Sequence, residues 1–216
     1  MEYDHEPQVI NFVTGLLLGA VIGAGVALLA RQPLEDVQRG IPAFEDEQRR
    51  VIAARIGGIR VVNAYVVNGQ AVGGEKYAYK LRFLDAFRHW LQTELTQHDD
   101  LLVMGDFNIA PTPEDTHDPQ VWEGAILCSD AERAALTAIC DLGLSDSFEA
   151  APNREGRFTW WDYRQAAFRR DMGLRIDHLL VSAPLRQRLR QWAVDTAPRK
   201  LERPSDHAPV WIELAT

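Results

Sequence analysis

The chain has 216 residues, of which 46% are apolar and 25% are charged, the composition of an ordinary folded domain. This composition excludes extensive disorder and allows a single domain with a substantial core. A net charge of -8 excludes a generally basic coat for nucleic acid, although residues 154–203 hold twelve Lys and Arg against six Asp and Glu. That segment is either a phosphate-binding face or a solvated charged surface.

The cysteine content limits the chemistry further. Cys128 and Cys140 are the two cysteines of the chain. Two thiols supply neither a disulfide framework nor a four-ligand zinc site, so a reducing compartment fits the sequence.

Residues 9–30 carry no charge, and 22 uncharged residues are long enough to cross a bilayer as a helix. Gly15, Gly19 and Gly23 form the small-residue seam of closely packed membrane helices. The acidic flank before this segment and Arg31 after it favour a cytoplasmic location for the rest of the chain, with an inner-membrane tether. A basic leader is missing, which argues against a signal peptide. The alternative is a buried helix or strand of the core.

After residue 31, short β-branched runs alternate with helical patterns, which predicts an α/β fold. The predicted strands cover residues 51–56, 60–66, 101–104, 175–181 and 210–214. Helical spacing of apolar residues predicts amphipathic helices over 75–96 and 130–142, the second ending at Gly143. Segments rich in Pro, Asp and Asn predict loops over 111–119, 151–156 and 199–205.

The most informative string is an apolar strand that ends in Gly105, Asp106, Phe107 and Asn108. Side chains two residues apart on a strand share one side, so the acid and the amide are expected to converge on a water or a phosphate oxygen. The carboxylate would act as a base and the amide would orient the phosphate. A purely structural turn is the alternative, because Gly and Asn tolerate unusual backbone angles.

Two further acids stand in unusual places. Asp177 interrupts an apolar strand, and a buried lone carboxylate needs a hydrogen-bond donor or an ion as its partner. Asp206 and His207 are adjacent, so both reach one site only from a loop conformation, which the flanking prolines favour. There His207 would bind a phosphate oxygen, and Asp206 would bind a metal or orient the imidazole.

The stretch from Thr159 to Arg164 combines Trp160, Trp161 and Tyr163 with one base. Aromatic faces stack on exposed sugars or bases, while an arginine holds phosphate. Packing into the core is the alternative for each aromatic ring.

In this order the motifs resemble the exonuclease III branch of the endonuclease/exonuclease/phosphatase superfamily, over about residues 25–214. The strings that carry the resemblance are Gly25-Val26-Ala27-Leu28-Leu29, Asn63-Ala64-Tyr65, Gly105-Asp106-Phe107-Asn108, Thr159 to Arg164, Gly173 to Asp177 and Ser205-Asp206-His207. The resemblance implies a four-layer α/β sandwich that is missing its first strands. It divides the chain into an apolar leader over 1–24 and an incomplete nuclease-like domain over 25–216.

The resemblance also implies an activity and its residues. Family members hydrolyse DNA phosphodiesters with Mg²⁺ or Mn²⁺, as 3′–5′ exonucleases and abasic-site endonucleases of base-excision repair. The implied partner is double-stranded DNA with abasic sites or 3′ ends, bound by a cytoplasmic monomer. The implied catalytic residues are Tyr65, Asp106, Asn108, Asp177 and His207. The implied metal ligands are Asp106, Asn108, Asp206 and His207. The implied DNA contacts are Trp160, Trp161, Tyr163, Arg164 and Arg175.

The N-terminus departs from the family pattern. The family opens with a strand that carries a metal-site Asn and continues to a Gln-Glu-Thr string whose Glu binds magnesium, whereas residues 1–24 contain neither string. Their loss would weaken metal affinity and expose a sheet edge. Two alternatives to the nuclease are therefore an inactive, membrane-associated family remnant and a phosphatase that acts on a small substrate.

Overall fold

The computed structural model describes residues 10–16, 24–26 and 33–215. Their strands are β1 (Ile10–Leu16), β2 (Ala24–Val26), β3 (Glu35–Arg39), β4 (Val51–Ile56), β5 (Ile59–Tyr65), β6 (Leu101–Asp106), β7 (Ser145–Asp146), β8 (Asn153–Glu155), β9 (Trp160–Trp161), β10 (Gly173–Leu174), β11 (Asp177–Val181), β12 (Leu189–Val194) and β13 (Val210–Leu214). The α-helices are α1 (Glu75–Gln97), α2 (Pro119–Trp122), α3 (Asp130–Cys140), α4 (Ser147–Ala150) and α5 (Ala183–Arg188). Short 3-10 helices cover Pro113–Asp115, Arg164–Arg170 and Ala197–Lys200.

The strands form two large sheets and one small one. The first sheet has the order β3-β4-β5-β6-β11-β7, the second has the order β2-β1-β13-β12-β8, and β9 pairs with β10. Strands β5 and β6 are parallel, which requires the crossover that α1 provides. The carboxyl ends of these two strands therefore lie side by side.

Alternation along the strands explains how the layers pack. Val61 of β5 packs between the sheets in the cluster that contains Ile212 of β13, whereas the next residue, Val62, packs in the cluster that contains Phe87 of α1. Successive side chains point to opposite faces of a sheet, so one face of the first sheet meets the second sheet and the other meets α1 and α3. Burial of both faces contributes about 25 cal/mol for each Å² of apolar surface removed from water.

The structure agrees with the expected elements and extends several of them. Strands 51–56 and 210–214 have the predicted bounds, and the strand expected over 101–104 continues to Asp106. The strand expected from 175 begins at Asp177, because Arg175 is held by side-chain bonds in the preceding segment. The predicted helices are present, and α3 starts with a capping box in which Ser129 and Glu132 exchange hydrogen bonds. The predicted loops over 111–119 and 151–156 contain a 3-10 helix and β8, respectively.

The apolar segment 9–30 is the main correction to the sequence analysis. Its residues 10–16 form β1, which pairs with β13 from Ile10↔Leu214 to Thr14↔Val210, and β2 pairs with β1. A membrane helix over these residues is therefore wrong, since pairing satisfies backbone groups that the edge of β13 would otherwise leave open. The remainder of that segment lies outside the described residues, and no helix within the described ranges is both long and apolar enough to cross a bilayer.

Candidate active site

Four polar side chains meet at one edge of the two sheets. Asp106 ends β6, and its register partners are Tyr65 at the end of β5 and Asp177 at the start of β11. The loop that precedes β13 brings His207 to the same place. The side chains are far apart in the sequence, and the sheet order alone makes them neighbours.

Asp177 and His207 form a close pair. His207 Nδ1 lies 2.9 Å from Asp177 Oδ2, and His207 Nε2 lies 3.9 Å from Asp106 Oδ2. Burial by itself lowers the pKa of His207, but the carboxylates of Asp177, Asp106 and Asp206 raise it to about 10. The imidazole is therefore a cation at neutral pH, and the expected partner of Asp177 is confirmed.

Asp106 accepts two hydrogen bonds from one residue. Asn108 N donates to Asp106 Oδ1 at 2.8 Å, and Asn108 Nδ2 donates to Asp106 Oδ2 at 2.8 Å. Burial and the nearby charge of Asp177 raise the pKa of Asp106 to about 7, against the opposing effects of His207 and the Asn108 amide. A carboxylate with a pKa near neutrality suits the work of a general base.

The turn after β6 differs from the expected alternation. Asn108 has a φ of +52°, so its side chain reaches Asp106 from a left-handed turn and not from a continued strand. The amide also donates to Val66 O at 2.9 Å, and Asn68 Nδ2 donates to Asn108 Oδ1 at 3.2 Å. Asn68 was not predicted from the sequence. Its place three residues after Tyr65 was the one feature that could have indicated a role in the site.

Trp160 and Trp161 occupy different environments. Trp160 Nε1 donates to Asp206 Oδ2 at 2.9 Å, and its backbone forms a bridge with His207, so this ring borders the site. Trp161 is only 3% exposed and packs in the core between the sheets. The predicted contact between Trp161 and DNA is therefore wrong, because no face of the ring is open to a ligand.

The remaining predicted DNA contacts also divide. Tyr163 is 63% exposed and Arg164 is exposed, although the guanidinium of Arg164 pairs with Asp162 and the hydroxyl of Tyr163 donates to Pro204 O. Arg175 is fully buried, and its guanidinium donates to Asp115 Oδ1 at 2.8 Å and to Asp146 Oδ2 at 2.6 Å. Arg175 therefore cannot contact DNA, because both ends of its fork are occupied inside the protein.

A cleft of about 740 Å³ opens beside Tyr65. Arg39, Arg49 and Arg50 line it, and the Arg50 guanidinium lies 5.3 Å from the centre of the Tyr65 ring. Burial and the charge of Asp106 raise the pKa of Tyr65 despite the opposing charge of Arg50, so the phenol keeps its proton at neutral pH. These arginines were not predicted, because nothing in their local sequence distinguishes them from surface charges.

The oxygen donors of the site suit a divalent metal. Carboxylate oxygens are the ligands that Mg²⁺ prefers, and it is often held by one or two of them together with water and substrate phosphates. Asp206 offers such a carboxylate at the edge of the site, where it accepts from Trp160 Nε1. Within residues 33–215 and the two described strands before them, no three His, Cys, Asp or Glu side chains form a metal-holding group. The few carboxylate donors of the protein fit a metal ion whose other ligands come from water and from a phosphate substrate.

Comparison with known proteins assigns the family. The model of the Endonuclease/Exonuclease/phosphatase family matches residues 5–207. The chain belongs to this family, whose members are metal-dependent hydrolases.

Relatives within the family make the match more specific. Exodeoxyribonuclease III of Haemophilus influenzae is 37% identical over 203 residues, which cover 88% of this chain and 76% of the relative. An exodeoxyribonuclease of Bacillus subtilis is 31% identical over 189 residues, with 87% and 73% covered.

Two solved structures share the fold. The 3′ phosphatase NExo from Neisseria, bound to a product DNA hairpin, superposes with a TM-score of 0.82 at 46% identity, covering 86% of this chain and 72% of that one. An AP endonuclease from Archaeoglobus fulgidus gives a TM-score of 0.79 at 35% identity, with 85% and 72% covered. The predicted sandwich of α/β type is thereby confirmed.

Proposed function

We propose that this chain is a DNA-repair nuclease that hydrolyses phosphodiesters at 3′ ends and at abasic sites. The observation that carries the proposal is the convergence of two hydrogen-bonded pairs, Asn108 with Asp106 and His207 with Asp177, which the 3.9 Å ion pair between His207 and Asp106 joins. The names of the relatives support the class of reaction, and the basic cleft beside Tyr65 supports a phosphate-bearing polymer as the substrate.

Each side chain has a role that its surroundings favour. Asp106, with a pKa of about 7, takes the proton of the attacking water. His207, a cation fixed by Asp177, donates a hydrogen bond to a non-bridging phosphate oxygen and offsets the charge that develops there. Asn108 orients the Asp106 carboxylate through its backbone and side-chain amides, and the protonated phenol of Tyr65 donates to the phosphate from the cleft side.

The proposed hydrolysis also uses a divalent cation, and Mg²⁺ is the ion that best fits the oxygen donors. Asp206 would hold it, with Asp106 and the substrate phosphate close by. When bound, the ion polarises the phosphate and neutralises part of its charge. Trp160 holds the Asp206 carboxylate in place through its indole nitrogen.

Binding of DNA is proposed to use the exposed side chains around the site. Tyr163 bonds to Pro204 in the loop that carries Asp206, Arg164 follows Tyr163 in the chain, and three arginines line the cleft beside Tyr65. These cations would hold the backbone of the duplex, so binding should weaken as salt rises. We expect a cytoplasmic monomer, as for an enzyme that acts on one duplex end at a time.

Removal of a 3′ phosphate is a second candidate activity. The Neisseria relative at 46% identity is a 3′ phosphatase, and the same base and phosphate donors serve a monoester at a strand end. A duplex with an abasic-site analogue, a duplex with a plain 3′ end and a duplex with a 3′ phosphate separate the three reactions.

The test is turnover of these three duplexes with Mg²⁺ and with EDTA, for the wild type and Asp106→Asn. We expect turnover that needs the metal and falls by about 10²-fold or more in Asp106→Asn, since loss of a positioned base costs about this much. Glu114→Gln, an exposed acid outside the site, is the matched control. Equal turnover by wild type and Asp106→Asn would refute the proposal.

A further inference from the structure

A fully buried lysine lies behind the site. Lys80 belongs to α1 and is charged, yet it has no exposed surface. Its neighbours on the same helix face are apolar. Its ammonium donates to Asn108 O at 2.7 Å, to Asn68 O at 3.2 Å and to Glu132 Oε1. Three N–H donors thus meet three acceptors, which satisfies the charge completely.

Glu132 is itself immobilised. Its carboxylate accepts from Leu127 N at 3.2 Å, from Ser129 N at 3.1 Å and from Ser129 Oγ at 2.7 Å. The far side of the ammonium is therefore anchored to the start of α3, which packs against α1.

The two carbonyls that Lys80 binds belong to the two residues whose amides meet in the site. Asn68 Nδ2 donates to Asn108 Oδ1 at 3.2 Å, and Asn108 Nδ2 donates to Asp106 Oδ2 at 2.8 Å. The left-handed backbone of Asn108, which Asn tolerates better than most residues, turns its carbonyl toward α1 and its side-chain amide toward Asp106. The bond from Lys80 restrains this turn at the carbonyl of Asn108.

We infer that Lys80 is a positioning residue for the proposed reaction, acting through Asn108 and Asn68, and this inference rests on the proposed function. Its ammonium fixes the positions of the Asn68 and Asn108 side-chain amides relative to the carboxylate of Asp106. A displacement of this kind by about 1 Å is enough to cost about 10²-fold in rate, although Lys80 touches no reacting atom.

The chain offers a matched pair for comparison. Arg60 Nε donates to Glu94 Oε2 at 2.7 Å, with Glu94 on the same helix, and both side chains are buried. Arg60 lies near the start of β5, whereas the site lies at the end of that strand. The Arg60–Glu94 pair therefore has the burial and charge of the Lys80–Glu132 pair without its link to the site.

The experiment compares Lys80→Met/Glu132→Gln with Arg60→Met/Glu94→Gln. Both charges of each buried pair are removed together, and the glutamine that replaces Glu132 still accepts the hydrogen bonds at the start of α3, so both variants are expected to fold. For the Lys80 variant we expect kcat on the abasic duplex to fall by about 10- to 100-fold with little change in KM. The Arg60 variant should keep the wild-type kcat. In an Asn108→Ala background the Lys80 change should cost little, because its effect is transmitted by that residue.

A second readout does not depend on activity. The side-chain amide resonances of Asn68 and Asn108 should move or broaden in the Lys80 variant and stay in place in the Arg60 variant. Unmoved resonances, or a kcat loss that adds fully to that of Asn108→Ala, would overturn the inference. An inactive wild type whose amides respond as expected would refute only the proposed function. If the double variant does not fold, Lys80→Gln alone, which leaves Glu132 with its donors from Leu127 and Ser129, is tested by the same two readouts with the same expected results.

Discussion

Single residues at the end of β6 impose the geometry of the site. Gly105 has a φ of +139°, and a Cβ atom there would lie 1.9 Å from Ala64 O of the adjacent strand. Glycine is therefore required for β5 and β6 to run side by side up to Tyr65 and Asp106. Three residues later Asn108 takes the left-handed conformation that turns its amide back onto Asp106.

The glycine requirement predicts a large loss of stability in Gly105→Ala. We expect the free energy of unfolding to fall by at least about 3 kcal/mol, since either the strands separate or the backbone leaves its conformation. Gly58→Ala is the control, because its φ of +85° is also positive but no atom lies within 4 Å of an added Cβ. It should cost about 1–2 kcal/mol. Urea unfolding measures both, and equal losses would contradict the steric argument.

At the scale of elements, a buried ion network joins three separate segments. Arg175 binds Asp115 of the 3-10 helix Pro113–Asp115 and Asp146 of β7, and its guanidinium lies 4.3 Å from the centre of the Phe148 ring of α4. Burial raises the pKa of Asp115, but the hydrogen bonds and charge of Arg175 outweigh it and leave the pKa below its ordinary value. The network therefore replaces a DNA contact as the role of Arg175.

Because of this network, we expect the free energy of unfolding to fall as the pH is lowered into the acid range. Because the folded-state pKa of Asp115 is depressed, its contribution is full above the ordinary value of about 3.9 and is lost as the pH falls through the lower folded value. Asp115→Asn should cost about 3–5 kcal/mol at neutral pH, because it leaves Arg175 short of a buried partner. The difference from wild type should narrow below about pH 4. Thermal unfolding across that range measures it, and a constant difference would argue against the ion pair.

At the scale of the whole molecule, the site lies where the two sheets meet. The first sheet contributes Asp106 and Asp177, β9 contributes Trp160, and the loop that leads to β13 contributes Asp206 and His207. The proposed metal donors, Asp106 and Asp206, are only half-buried and lie at the rim of this edge. The fold should therefore form without the ion, in contrast to a structural metal site.

Metal removal tests this separation of folding from activity. With EDTA we expect the melting temperature of the free protein to stay at its value in Mg²⁺, while turnover of the abasic duplex is lost. Calorimetry and the incision assay on the same sample check both expectations. A marked fall of the melting temperature in EDTA would mean that the ion supports the fold itself.

The sequence by itself determined the α/β class, the main strands, both long helices and most of the residues that meet in the candidate site, because these depend on local periodicity and on short motifs. It also showed that Asp177 must have a partner, since an isolated buried carboxylate is too costly. It could not show that this partner is His207, that Asn68 and Lys80 hold Asn108, or that Trp161 and Arg175 are buried. Nor could it decide whether residues 10–16 form a helix or a strand. Tertiary structure decided these points, because each depends on which strands become neighbours, and strand order is set by contacts between residues far apart in the chain.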